Sequence, residues 1–244
     1  RTTGGSFLDV TPGEDSTVVA RLRRAGAILL GKLNLSEFAF GGNIRHPFGT
    51  PRNPWNVERQ PGHSSSGSGV AVAASLCAAA IGEDTGGSIR IPAAWCGVTG
   101  LRPTWGRVSR CGILPICWSM DQAGPMTKNV EDCALVYQAI AGHDTNDPYT
   151  STEPVGWFTP TPDLRGLRVG LIQESLTNSL TEPVVSTAVQ NALEVLKEAG
   201  AIVSEVSIPL MSDAGVISAT ICDSDGAYVH RHWLRSRAKD YYVV

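Results

Sequence analysis

Two stretches of the chain share one pattern of apolar and polar positions. Residues 16–24 (STVVARLRR) place apolar side chains at helical spacing, with Asp15 or Ser16 available as N-cap. Gly26 punctuates the end, and residues 27–31 (AILLG) predict a short buried strand. Residues 185–198 (VSTAVQNALEVLKE) repeat the grammar as an amphipathic helix, Gly200 stops it, and residues 201–206 predict a strand. Residues 23–28 (RRAGAI) and 197–202 (KEAGAI) are near copies. Two copies are too few for a repeat array. With a further strand expected over residues 168–173, after the Pro/Thr-rich connector 143–162, the alternation predicts an α/β architecture.

Between these stretches the pattern changes. Residues 41–70 are rich in Gly, Pro, Ser and Asn. Residues 70–81 (VAVAASLCAAAI) are apolar on every side, which predicts a buried helix. A second helix is expected over residues 89–95, near Pro92. Small-residue turns flank the first of these: residues 62–69 (GHSSSGSG) and 84–90 (DTGGSIR). Such turns admit positive φ and close approach, and several N–H groups at a helix start can converge on an anion. Phosphate is a poor fit. No lysine stands where a P-loop needs it, and Val72 occupies the third small position of a dinucleotide fingerprint. A free linker is also a poor fit, because the apolar segment ties both turns into a core. The oxyanion of an acyl-transfer intermediate remains.

Composition narrows the partners. Apolar residues make up 42% of the chain and charged residues 18%, as in globular proteins. The net charge of −3, with no clustered basic run, argues against nucleic acid. No apolar run reaches membrane-spanning length and no leader opens the chain, so no membrane partner and a cytoplasmic location are expected. The six cysteines form no Cys-x-x-Cys and read as buried reduced thiols. No metal or organic cofactor is implied. Arg1-Thr2-Thr3-Gly4-Gly5 reads as mid-chain, so residues 1–244 are expected to be part of a single domain truncated at both ends.

The segment from Gly62 to Pro92 carries Gly-x-Ser-Ser-Ser-Gly-x-Gly, a small-residue stretch, and Asp-Thr-Gly-Gly-Ser-Ile-Arg-Ile-Pro. Flanking it are Gly31-Lys32-Leu33-Asn34, Asn53-Pro54-Trp55, residues 96–104 (CGVTGLRPT), residues 106–110 (GRVSR) and Asp121-Gln122-Ala123-Gly124-Pro125-Met126. Together these resemble the amidase signature family over at least residues 16–140, with His63 where glycine is frequent. The resemblance implies an α/β fold in which helices sandwich a mixed, mostly parallel sheet. It also implies that Ser88 is the nucleophile and Ser64 the bridging serine, with a cis peptide between His63 and Ser64. The amides of Thr85, Gly86, Gly87 and Ser88 would form the oxyanion hole. Ser65, Asp84 and Arg90 would support the site, the last two as a pair. The base would be a lysine. Lys32, Lys128, Lys197 and Lys239 do not match its position, which places it upstream of residue 1.

His46, His143, His230 and His232 read as surface or capping residues rather than members of a Ser-His-Asp triad, while His63 is placed to shape the pocket. Tryptophans read mainly as core, with Trp118 the exception that faces the pocket. By resemblance Phe40, Gly41, Gly42 and Arg110 line the substrate site. The apolar residues 111–118 point to small-molecule aryl or alkyl amides, anilides or carbamates (urethanes). The alternatives are a glutamine-amidohydrolase subunit of a tRNA-dependent amidotransferase and a non-catalytic scaffold of the same fold.

Overall fold

The computed structural model describes residues 7–8, 11–40, 48–161, 163–177 and 179–241. It divides into two compact units, Arg1–Trp157 with Ile221–Val244, and Phe158–Thr220.

The first unit is built on a three-stranded sheet of order β1-β3-β2, with β1 at Ala79–Glu83, β2 at Thr99–Gly100 and β3 at Ala123–Thr127. Both pairings are antiparallel, with Ala79 opposite Thr127 and Thr99 opposite the same residue from the other side. Helices α2 (Ser66–Ala73) and α3 (Arg90–Cys96) cover one face, where Val72, Ala80, Ile89, Ala93 and Met126 form a core. Helices α1 (Thr17–Arg24) and α4 (Val130–Ile140) cover the other, around Val18, Val108, Ala123 and Ile140. With both faces covered, every residue of β3 is buried. The side chain of Ser16 accepts from the Val19 amide, as its place ahead of α1 predicts.

In the second unit β4 (Arg168–Ile172) pairs in parallel with β5 (Ile202–Val206). Short α5 (Gln173–Thr177) and α6 (Pro183–Glu198) lie between them in sequence. The chain is thus mixed α/β, as expected. Among the described residues, however, parallel pairing is confined to β4 and β5, and the larger sheet is antiparallel. Helix α7 (Ala214–Arg237) closes the chain, and its residues from Ile221 onward belong to the first unit.

Two expected elements come out differently. The helix expected over residues 70–81 is two elements: α2 ends at Ala73, Ser75 turns left-handed at φ 59°, and the run re-enters the core as β1. An uninterrupted apolar run suits a buried helix and a central strand equally, so periodicity alone does not separate them. The strand expected over residues 27–31 is not formed, and Ile28 and Leu30 are 85% and 74% exposed.

Candidate active site

β1 delivers the chain to the second small-residue turn. Its ladder with β3 runs one pair further than the strands themselves, since Asp84 and Gln122 exchange amide hydrogen bonds of 2.9 and 3.2 Å. Asp84 is fully buried and organises the turn beyond it. Its carboxylate accepts from the amides of Gly87 (2.7 Å), Ile89 (3.2 Å) and Arg90 (3.3 Å). The Arg90 guanidinium reaches it at 3.0 and 3.1 Å, and Arg102 donates to it at 3.1 Å. Burial pushes the Asp84 pKa up, but the hydrogen bonds and charge of Arg90, with the Gly87 and Ile89 amides, outweigh it and hold the group below the ordinary carboxylate value. A charge in this position is tolerable because nearly all its lone pairs are occupied. The turn it shapes holds Ser88 just ahead of α3.

The first turn reaches the same place by close packing. A methyl group on Gly62, which sits at φ +103°, would lie 2.6 Å from Pro92 Cα. One on Gly67 would lie 2.3 Å from the Asn34 carbonyl oxygen, to which the Gly67 amide donates at 3.0 Å. Ser65 is pinned to β1 from both sides: its hydroxyl accepts from the Glu83 amide at 3.2 Å and lies 3.3 Å from the Glu83 carbonyl. Ser68 donates to Ile81 O at 2.9 Å. Between these anchors the Ser88 hydroxyl donates to the Ser64 hydroxyl at 2.8 Å. Ser64 is buried and Ser88 half-buried.

The peptide ahead of Ser64 is trans, as is every other bond among the described residues, against the cis bond expected there. Ser64 instead adopts a left-handed backbone at φ 55°, a conformation sparsely used by residues other than glycine. That turn of the chain, together with the packing at Gly62 and Gly67, brings the two hydroxyls together.

Of the four amides expected in the oxyanion hole, that of Gly87 is committed to Asp84, so it shapes the turn rather than facing outward. Among the described residues the amides of Thr85, Gly86 and Ser88 have no acceptor. The Thr85 hydroxyl is tied down at 2.6 Å by Asp121, whose carboxylate also receives the amides of Ile116 (2.8 Å) and Cys117 (2.9 Å). Asp121 and Arg102 stand within the family motifs, but nothing in their local sequence showed these contacts, which join segments far apart in the chain.

Around this centre Phe40 is 39% exposed, while Gly41 and Gly42 lie outside the described residues. Arg110 is buried, and its Nη2 has no hydrogen-bond partner among the described residues. It pairs with Asp147, its guanidinium lies against the Trp105, Trp118 and Tyr149 rings, and it donates to the Trp118 carbonyl. Trp118 itself is 46% exposed, and Trp55, Trp95, Trp105 and Trp157 are exposed too, so most tryptophans here are not core residues. His230, expected at the surface, is buried against Phe38 and accepts from or donates to the Tyr241 hydroxyl at 2.7 Å. His63 lies beside the Trp95 ring. Lys128 donates to Ala73 O and Lys197 pairs with Glu194. Glu83 is a group the sequence did not single out. Its Oε1 is buried without a hydrogen-bond partner among the described residues. Burial, then the nearby Asp121, pushes its pKa well above the ordinary value. Among the described residues no group of three or more His, Cys, Asp or Glu side chains is gathered to hold a metal, and no helix is long and apolar enough to cross a membrane. The cysteines are free, as expected, but Cys77, Cys111 and Cys222 are only partly buried.

Comparison with known proteins agrees with this geometry. The chain is 50% identical over 214 residues to the A subunit of glutamyl-tRNA(Gln) amidotransferase from Roseiflexus castenholzii, covering 86% of this chain and 44% of the relative. It is 49% identical over 213 residues to the protein of the same description from Syntrophobacter fumaroxidans, covering 85% and 44%. It therefore spans less than half the length of these curated relatives. Among solved structures, the A subunit of the Thermotoga maritima glutamyl-tRNA(Gln) amidotransferase superposes with a TM-score of 0.89 at 37% identity, over 98% of this chain and 55% of that one. Native peptide amidase of Stenotrophomonas maltophilia superposes with a TM-score of 0.81 at 36% identity, over 100% and 55%. A family model described as Amidase matches residues 1–241; together with the paired serines and the buried aspartate, this shows that the chain belongs to the amidase family.

Proposed function

We propose that the whole protein is a serine amidohydrolase that cleaves the C–N bond of a primary amide of the glutamine type, working as the ammonia-releasing component of an amidotransferase. The observation that carries the chemistry is the 2.8 Å contact in which the Ser88 hydroxyl donates to Ser64. A serine hydroxyl becomes an effective nucleophile when its proton has somewhere to go. As Ser88 Oγ attacks the carbonyl carbon, its proton passes to Ser64 Oγ, and the proton of Ser64 moves on to a base. That base is the lysine the family resemblance calls for, to be sought outside residues 1–244. The carbonyl oxygen becomes an oxyanion facing the free amides of Thr85, Gly86 and Ser88, donors of the kind that usually contribute most to such reactions. Collapse expels the amine, which takes up a proton, and leaves an acyl ester on Ser88. Water then attacks the ester and regenerates the serine.

The amide class rests on the curated relatives, which are amidotransferase subunits at up to 50% identity. A second reading, aryl amides or carbamates, is favoured by the exposed ring of Trp118, on the loop that Asp121 ties to the Ser88 turn. The test is a panel run on the full-length protein: ammonia release from glutamine and simple primary amides, against arylamine release from nitroanilides and aryl carbamates. Glutamine turnover that rises with added partner subunits supports the first reading, and arylamine release without glutamine turnover replaces it with the second. Activity that survives Ser88→Ala would show that the nucleophile is elsewhere.

A further inference from the structure

The loop carrying Trp118 and the turn carrying Ser88 are separate in sequence, yet one buried side chain holds both. Because Asp84 and Gln122 form the last ladder pair beyond β1 and β3, Thr85 and Asp121 leave the sheet opposite one another. Asp121 Oδ1 receives the Thr85 hydroxyl at 2.6 Å and the Cys117 amide at 3.0 Å. Its Oδ2 receives the amides of Ile116 at 2.8 Å and Cys117 at 2.9 Å. Thr85, Ile116, Cys117 and Asp121 are all buried, so water does not compete for these contacts. On its far side the same loop is fastened to α7, where Asp225 accepts from Cys117 Sγ at 3.2 Å and from the Ser119 hydroxyl at 2.9 Å.

Resting on the function proposed above, we infer that Asp121 is a positioning residue that sets the oxyanion turn and the substrate loop relative to each other. The Thr85 amide has no acceptor among the described residues, while the Thr85 side chain is anchored. The direction of that amide is thus set through Asp121 by the position of residues 116–118. A substrate group that shifts the Trp118 loop shifts the donor at the reacting carbonyl. The same carboxylate therefore serves both affinity and rate, and couples them. An asparagine at 121 offers one acceptor oxygen where the aspartate offers two, so it cannot receive the Thr85 hydroxyl and both loop amides together, and the link between turn and loop loosens.

The experiment uses the full-length protein with whichever amide the panel above shows to be turned over. Thr85→Val removes the hydroxyl from one side of the link and keeps the amide. It is expected to lower kcat by about 10–100-fold, the scale of a small misplacement at the reacting atoms, with KM little changed. Thr85→Ser keeps the hydroxyl and is expected to restore kcat. Asp121→Asn is expected to lower kcat and raise KM together, most for substrates with bulky groups, and Thr85→Val added to it should lower kcat no further. Wild-type kcat in Thr85→Val, no rescue by Thr85→Ser, or independent multiplication of the two effects would each overturn the inference. Thermal melting of each variant separates a folding loss from a positioning loss. If Ser88→Ala retains activity, the underlying reaction is wrong. If it abolishes activity while Thr85→Val is silent, only the coupling is wrong.

Discussion

The two serine turns end at the same hydrogen bond but are built by opposite means. Residues 84–90 are organised by charge: one fully buried carboxylate gathers three amides and two guanidinium groups. Residues 62–69 contain no charged group except, when protonated, His63, and are organised by shape, with glycines pressed against the Pro92 and Asn34 backbone and a left-handed Ser64. A charge network has directional strength but responds to pH. A steric fit ignores pH but tolerates no added atom.

The largest expected effects fall at the hydrogen bond the two turns share. Ser88→Ala should abolish turnover, a loss of about a millionfold as for other serine nucleophiles. Ser64→Ala should cost about 10²–10⁴-fold through the lost proton relay, measured as kcat with unchanged melting temperature. An inert Ser64→Ala would make the first turn mere packing.

The next effect separates the turns. Asp84→Asn leaves Arg102 and the gathered amides facing a weaker acceptor. It should destabilise the protein by about 3 kcal/mol, the lower end for breaking a buried pair, because Arg90 is half-exposed. The Asp84 pKa lies below its unfolded value. Its stabilisation is therefore complete above the ordinary carboxylate pKa and is lost as pH falls toward the folded value. Urea unfolding across acid pH should show that loss in the wild type and a reduced slope in Asp84→Asn.

Gly67→Ala is the counterpart for the shape-built turn. The added methyl 2.3 Å from Asn34 O forces a backbone shift, for about 1–3 kcal/mol. The cost should be the same at acid and neutral pH, and a strongly pH-dependent cost would undo the contrast.

The smallest effect concerns Glu83, between the two turns. Burial, then Asp121, raises its pKa well above 4.5. The folded protein keeps the proton where the unfolded chain releases it. Its favourable contribution is present below the unfolded pKa and is lost as pH rises through the folded one. Glu83→Gln should remove that decline, so the variant gains on the wild type as pH rises in paired melting curves.

Much of the site was legible because its features are local. The Asp84-to-Arg90 spacing places carboxylate and guanidinium on one turn, and the glycines mark where no side chain fits. The 2.8 Å meeting of Ser64 and Ser88 was reachable only through the family resemblance. Asp121 and Glu83 were missed because their significance lies in partners that the sheet, not the neighbouring sequence, brings close. Arg110 was named through its motif alone, and its ion pair with Asp147 and the three aromatic rings around its guanidinium were not legible there.

The near copies RRAGAI and KEAGAI divide the two kinds of information. In both, the glycine turns left-handed, at φ 88° for Gly26 and 99° for Gly200. In both, the next residue donates back across the helix end at 3.0 Å, Ala27 to Leu22 O and Ala201 to Leu196 O. This cap is made entirely of backbone within six residues, so sequence alone determines it. Beyond the cap the copies part. Ile202 donates to Leu167 O at 2.8 Å and opens β5, while Ile28, after the same Ala-Gly-Ala, joins no strand among the described residues. A strand's hydrogen bonds point sideways to another segment, so whether it forms is decided only by what the tertiary structure lays beside it.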